Sequence, residues 1–178
     1  MTLISGPAFV DLFRTFAHTA RRLETRERYD SPSEREPLRR FLEGEPEDLA
    51  WFQNWLGIVG KATEEGKIFQ RVRVVSLPLS DYSRFGLDLS RHTVAAGEDI
   101  RYLDRSQAAG LPERDFWVFD SSRVALLHFT DDDQLLGAEI ITDPAVVVEC
   151  AAALDDAVHR SLSREEFVAR LPDDYKIR

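Results

Sequence analysis

Residues 115–144 read DFWVFDSSRVALLHFTDDDQLLGAEIITDP. Two apolar runs, 116–119 and 124–129, meet across Ser121-Ser122, and a third, 135–141, follows the acidic turn Asp131-Asp132-Asp133. Short runs rich in aromatic and branched side chains, separated by polar turns, read as neighbouring strands of a meander. Asp143 then stands as an N-cap with Pro144 at the first helical position. Val146, Val147, Ala151, Leu154 and Val158 follow at helical spacing. Ser163 and Glu166 have the spacing of a capping box and open a short last helix.

The strand pattern continues toward the N-terminus. Residues 68–77 carry Phe69, Val72, Val74, Val75 and Leu77 around Arg71 and Arg73, and Pro78 ends that run. Tyr82, Phe85, Leu89 and Val94 suggest a helix that stops by Gly97, before a short strand over 99–103. The first third reads as helical. Pro7 is followed by Phe9, Leu12, Phe13, Phe16, Ala17, Ala20 and Leu23 at helical spacing, which predicts one helix over about 7–27. A short helix is expected over 37–43, ending at Gly44, and a longer one from Pro46 to Gly66. The fold class expected is α/β (α+β), in one domain over 1–178. A helical N-terminal layer (1–66) packs on a mixed β-sheet with one helix (67–142), and C-terminal helices (143–178) complete it.

Composition bounds the function classes. Hydrophobic residues make up 43% and charged residues 31% of 178, a globular balance. No apolar run is long enough to span a bilayer, and MTLISGPAF lacks the pattern of a secretion signal. The one cysteine, Cys150, rules out an internal disulfide framework and fits a cytoplasmic location. A formal charge of −9 disfavours direct nucleic-acid binding. That charge is uneven: residues 11–40 hold eight arginines against six acids, residues 131–178 twelve acids against five basic residues. An acidic end suits a basic partner, or is a solvated face.

Most routes to chemistry lack their residues. His18, placed on the first helix, and His92, His128 and His159 have no pair at metal-ligand spacing, so no metal and no cofactor is expected. Cys150 lies beside Val147 and Leu154 on a helical face and reads as an inert thiol. No Walker loop, GxGxxG turn or GxSxG elbow occurs. The strongest candidate is Arg71 with Arg73. Alternate strand residues share a face, and two guanidinium groups in a sheet need a carboxylate, an anion or solvent. Glu98, Asp99 and Asp120 are possible internal partners. A second candidate is the arginine-rich stretch 21–29, either a solvated helix end with Glu24 and Arg28 paired, or a segment that brings Glu24, Arg26 and Tyr29 over the sheet edge.

Five ordered motifs carry a resemblance: RLETRERY (22–29), RVRVVSLP (71–78), DYSR (81–84), AGEDIR (96–101) and DFWVFD (115–120). Together they resemble an uncharacterised actinobacterial family with a domain-of-unknown-function label, often encoded beside small helix-turn-helix regulators. Residues 68–160 are also similar to one half of a phospholipase D-like fold. There HxKxxxxD supplies a nucleophilic histidine, a phosphate-binding lysine and an orienting acid. By position Asp120 matches the acid, while the histidine and lysine fall near Arg114 and Phe116, which cannot replace them. The resemblance therefore implies a scaffold without its nucleophile.

The expectation from sequence is a non-catalytic sensor or accessory module that binds a helix-turn-helix regulator or other protein partner, or a small anionic ligand. Arg71, Arg73 and Arg101 would attract the anion, Glu24 and Glu98 would orient the arginines, and Tyr29 and Tyr82 would close the cleft. Replacing Arg71 and Arg73 together is expected to abolish binding and leave the thermal midpoint nearly unchanged. The alternative is a divalent-metal phosphoesterase or nuclease holding Mg²⁺ on Asp115, Asp120, Glu98 and Asp99.

Overall fold

The computed structural model describes residues 2–172 and 175. Its order is β1 (Leu3–Ile4), α1 (Gly6–Thr15), β2 (Thr19–Glu24), α2 (Arg35–Leu42), α3 (Gln53–Glu64), β3 (Ile68–Val75), α4 (Asp81–Ala95) and β4 (Asp99–Asp104). Then come β5 (Phe116–Phe119), β6 (Arg123–Phe129), β7 (Leu135–Ile141), α5 (Pro144–Arg160), β8 (Leu162–Ser163) and α6 (Arg164–Arg170). The strands form one mixed sheet in the order β1-β7-β6-β5-β2-β3-β4-β8. Strands β2, β3 and β4 are parallel, and the remaining neighbours are antiparallel. The α/β class and the meander expected from 115–144 are present.

Alternation along the strands divides the core into two layers. On one face Ala20, Phe69, Trp117 and Phe119 pack against Leu12, Phe13 and Phe16 of the first helical segment and Val59 and Ala62 of α3. Helices α4 and α6 extend this layer over Ile100 and Tyr102. On the opposite face Leu23, Val72, Val74, Leu103, Phe116 and Val118 are covered by Val147, Leu154 and Ala157 of α5.

The helical start of the chain is where sequence and structure part. The predicted helix over 7–27 ends at Thr15, and residues 19–24 become the strand at the centre of the sheet. His18 lies in the link, not on a helix. The break is imposed from far away in sequence. Asp120, in the three-residue turn 120–122 with φ of 53° and 49° at Asp120 and Ser121, accepts hydrogen bonds from the backbone N–H of Ala17, His18 and Thr19 at 2.9, 2.7 and 3.0 Å. Those donors are therefore unavailable to a continued helix. The predicted pairing of Glu24 with Arg28 across a helical turn does not form, because Glu24 lies in β2.

Smaller differences have local causes. The strand expected over 68–77 stops at Val75. The helix expected from Pro46 begins only at Gln53, after a 3-10 turn at Ala50–Phe52. Asp48 accepts from the Ala50 N–H at 2.9 Å, and Glu47 is drawn to Arg91 and His92 on α4 at 2.6 and 2.9 Å. Predicted caps are found. Asp143 accepts from the Ala145 and Val146 N–H, and Ser163 with Glu166 forms the reciprocal capping box. The end of the predicted C-terminal helical region, 173–174 and 176–178, lies outside the described residues.

Candidate functional site

The centre of the sheet is charged. Strand pairing sets Arg22 beside Arg71 and Glu24 beside Arg73, all on the face that carries α1, α3 and α4. Glu24 is buried and receives three guanidinium groups through their Nη1 atoms: Arg22 at 2.8, Arg71 at 3.3 and Arg73 at 3.1 Å. Burial alone would raise its pKa, but the three arginines outweigh burial and hold the carboxyl down at about 2. The network continues outward. Arg71 places Nε and Nη2 on the two oxygens of Glu98 at 2.9 and 2.8 Å, and Arg22 reaches the buried Asp115 at 3.4 Å. Three guanidinium groups thus meet three buried carboxylates.

The arginines do not use their donors equally. Arg71 spends its Nε/Nη2 edge on Glu98, whereas Nε and Nη2 of Arg73 have no hydrogen-bond partner although Arg73 is only 5% exposed. Its guanidinium carbon instead lies over the rings of Tyr29 and Tyr82, 5.5 and 5.3 Å from their centroids. Such contacts stabilise the charge but offer no acceptor in line with those two N–H groups. Gly86 of α4 faces this guanidinium, and a Cβ added there would come into ordinary contact with Cζ and Nη1 of Arg73 at 3.8 Å.

Above this floor is a cavity of about 600 Å³. Its apolar wall comes from Phe9 and Phe13 of α1, Trp51, Phe52 and Trp55 around the start of α3, and Trp117 and Phe129 from the sheet. The rings pack edge to face, as in Phe13–Trp55 at 5.2 Å and Phe13–Trp117 at 4.8 Å. A strap, residues 25–34, crosses the opening after β2. Asp115 anchors its root by accepting from the Thr25 N–H and hydroxyl, at 2.8 and 2.9 Å, and from the Tyr29 hydroxyl. Asp133 in the β6–β7 turn holds its far side through Arg26, Arg28 and the Asp30 N–H. The Tyr82 hydroxyl donates to Glu34 at 2.6 Å, and burial pushes the Glu34 carboxyl up. Burial also pushes the Tyr29 and Tyr82 hydroxyls up, so both stay protonated donors.

Of the residues expected from sequence, Glu24, Tyr29, Arg71, Arg73 and Tyr82 line this cavity together. The others do not. Glu98 sits behind Arg71, where it orients that guanidinium without facing the cavity. Arg26 fastens the strap from outside, over the Phe129 ring. Arg101 is in register with Val72, one residue off the arginine face, and bonds Ser161 at 3.0 Å on the other side of the sheet. Asp120 caps the opposite end of β2, so the position matched to a phospholipase-type acid serves as a structural fastener.

The four carboxylates proposed for Mg²⁺ do not converge. Asp115 holds the strap, Asp120 caps the backbone, Glu98 binds Arg71 and Asp99 accepts from Gln70 at 2.7 Å. Among the described residues no group of histidine, cysteine, aspartate or glutamate side chains is arranged to hold a metal ion. Among the described residues, no histidine or cysteine lines the cavity, while Glu34, whose carboxyl is pushed up by burial, does. Cys150 packs against the core under α5, and burial raises its pKa. Sequence reasoning missed Arg22, Glu34 and the aromatic wall. The signal for Arg22 was the period-two alternation Ala20, Arg22, Glu24, hidden by helical spacing just before it.

Residues 7–169 match a protein family described as a domain of unknown function, DUF6879. Comparison with curated proteins finds none that matches. Among the described residues no helix is long and apolar enough to cross a membrane.

Proposed function

We propose a function for this chain, which belongs to the DUF6879 family, from the cavity alone: it is a non-catalytic module that senses a small anionic molecule. One observation carries the reading. A cavity of about 600 Å³, within the range of small-molecule sites, combines an aromatic wall with an arginine-rich floor built into the centre of the sheet. Charges in such a place need a reason, because apolar residues would pack there at lower cost. In this reading Arg73, Tyr29, Tyr82 and the aromatic wall hold and orient the molecule.

In this reading the strap is the output element. It covers the ligand and is tied to the β6–β7 turn, so occupancy alters the surface that a protein partner meets. The resemblance to actinobacterial proteins encoded beside helix-turn-helix regulators supports such a regulator as partner, in the cytoplasm. The similarity to a phospholipase D-like half-domain without its histidine agrees with binding in place of cleavage.

The chain carries an internal reporter. It has three tryptophans, and Trp51, Trp55 and Trp117 all line the cavity. A collection of small amphipathic acids should therefore contain members that change tryptophan emission saturably. The variant Gly86→Phe, which fills the space beside Arg73, should lose that response. Flat emission across the collection, or an unchanged response in the filled variant, would overturn the proposal.

A further inference from the structure

We infer that the cavity takes a flat, mostly apolar monocarboxylate, with the carboxylate received by the Nε/Nη2 edge of Arg73. The inference rests on the ligand-binding reading above and narrows it to one chemical class.

The argument begins with Arg71, which shows what this edge does when paired. Its Nε and Nη2 bind both oxygens of Glu98 at 2.9 and 2.8 Å, the two-point geometry a carboxylate matches best. Arg35 uses the same two atoms on Asp30, and Arg39 on Glu36. Arg73, two residues along the same strand and face, has the same edge without an acceptor. Its Nη1 is committed to Glu24 and its charge lies against Tyr29 and Tyr82. A buried N–H pair with no acceptor is costly, and a carboxylate relieves both donors at once.

Charge and shape narrow the class further. Around the cavity floor Arg22, Arg71 and Arg73 are balanced by Glu24, Glu98 and Asp115, and Glu34 adds another carboxyl to the wall. By this count the floor has no surplus positive charge, so a monocarboxylate adds one uncompensated charge in a desolvated site and a phosphate dianion adds two, which favours the monoanion. The rest of the molecule meets Phe13, Trp55, Trp117 and Phe129, a wall that favours a ring over a polyol or a sugar. The Arg73 edge is buried beside the Tyr29 and Tyr82 rings, so in this inference a carboxylate reaches it by displacing Tyr29 from its bond to Asp115.

The test uses three probes of similar outline on the full chain: phenylacetate, phenylacetamide and phenyl phosphate, followed by tryptophan emission and calorimetry at neutral pH. Phenylacetate should bind, and about tenfold or more tighter than its neutral amide. Phenyl phosphate should bind more weakly than phenylacetate. Arg73→Lys, which keeps the charge but loses the two-donor edge, should weaken phenylacetate by about tenfold or more while leaving the amide unchanged. A thermal midpoint within a few degrees of the parent would show that this variant is folded, and Arg73→Gln offers a second variant if it is not. Equal binding of acid and amide, or an Arg73 variant that binds phenylacetate normally, would overturn the carboxylate assignment and leave the ligand-binding reading standing. Preference for the phosphate would replace the class with phosphomonoesters. Failure of all three probes, while other small molecules still move the emission, would defeat this inference alone; failure of every compound would defeat both.

Discussion

Replacing Glu24 by Gln should destabilise the fold by roughly 3 kcal/mol at neutral pH, and the loss should shrink on acidification. Two routes give the magnitude. The carboxyl is held at about 2 from an ordinary 4.5, and a shift of that size corresponds to roughly 3 kcal/mol of stability. Independently, breaking a buried charge network by removing one member costs about 3–5 kcal/mol, and this glutamate is the common partner of Arg22, Arg71 and Arg73. The sign follows from linkage. A depressed folded-state pKa gives stabilisation that is complete above 4.5 and disappears as pH falls toward about 2. Gln cannot titrate, so the gap between parent and variant should be widest at pH 7 and should narrow below pH 4.5. For a chain of this length roughly 3 kcal/mol amounts to about 6–12 °C in thermal midpoint. Urea unfolding at pH 7, 5 and 4 measures the gap. A difference below about 1 kcal/mol at pH 7, or one that stays constant as pH falls, would refute the picture of three arginines stabilised by one ionised carboxylate.

Arg71 and Arg73 should separate in stability. Arg71→Met strands Glu98 and weakens Glu24, which predicts a loss of about 3–5 kcal/mol in urea unfolding, whereas Arg73→Met should cost about 1–2 kcal/mol because Glu24 keeps two partners. Equal losses would show that the arginines are equivalent. The double replacement expected from sequence to spare the thermal midpoint should therefore not spare it. Asp120→Ala leaves the N–H groups of Ala17, His18 and Thr19 without their acceptor, and should lower stability by about 1–3 kcal/mol while leaving probe binding in the cavity intact. Loss of binding in a folded Asp120→Ala protein would contradict its purely structural role. Asp133→Ala removes the ion pairs with Arg26 and Arg28 but keeps the backbone carbonyl that accepts from the Asp30 N–H; with partly exposed ion pairs contributing about 1 kcal/mol together, amide exchange over 26–29 should rise several-fold and exchange in β3 should not.

Much of the fold could be read from local pattern. The meander after Asp115, the helix behind Asp143-Pro144 and the capping box at Ser163 depend on neighbours in sequence, and each appears where expected. The first helix was overextended because its true end is set by Asp120, about a hundred residues away, and no residue near Thr15 announces it. The site was half legible for the same reason. Arg71 and Arg73 stand out because charge inside an apolar run is unusual, and their common face follows from strand alternation. Arg22 and Glu24 belong to a segment whose charges look like the outside of a helix. Only the neighbouring strand, which supplies partners for them, makes such a segment viable in the middle of a sheet. Arg101 failed by one residue of register, since adjacent strand positions face opposite layers.

That failure at β2 bears on function. A sheet centre is normally filled with branched apolar residues, and local preference, pattern and burial then agree. Here Ala20 and Leu23 obey that rule while Arg22 and Glu24 break it, at the point where the cavity meets the sheet. Stability does not explain the exception, because buried ion pairs seldom outperform packed hydrocarbon. Register does not require it either, since Leu23, Val72 and Phe116 on the opposite face already fix the pairing of β2 with its neighbours. What the charged residues add is an ordered floor: Glu24 fixes three guanidinium groups, Glu98 locks that of Arg71, and Arg73 keeps two donors unspent beside the Tyr29 and Tyr82 rings. Prior ordering of this kind reduces the entropy lost when a ligand arrives. In the proposed reading the cost of burying the network is offset by recognition at the Arg73 edge, and a ligand anchored there should gain affinity from a floor whose guanidinium groups are already held in place.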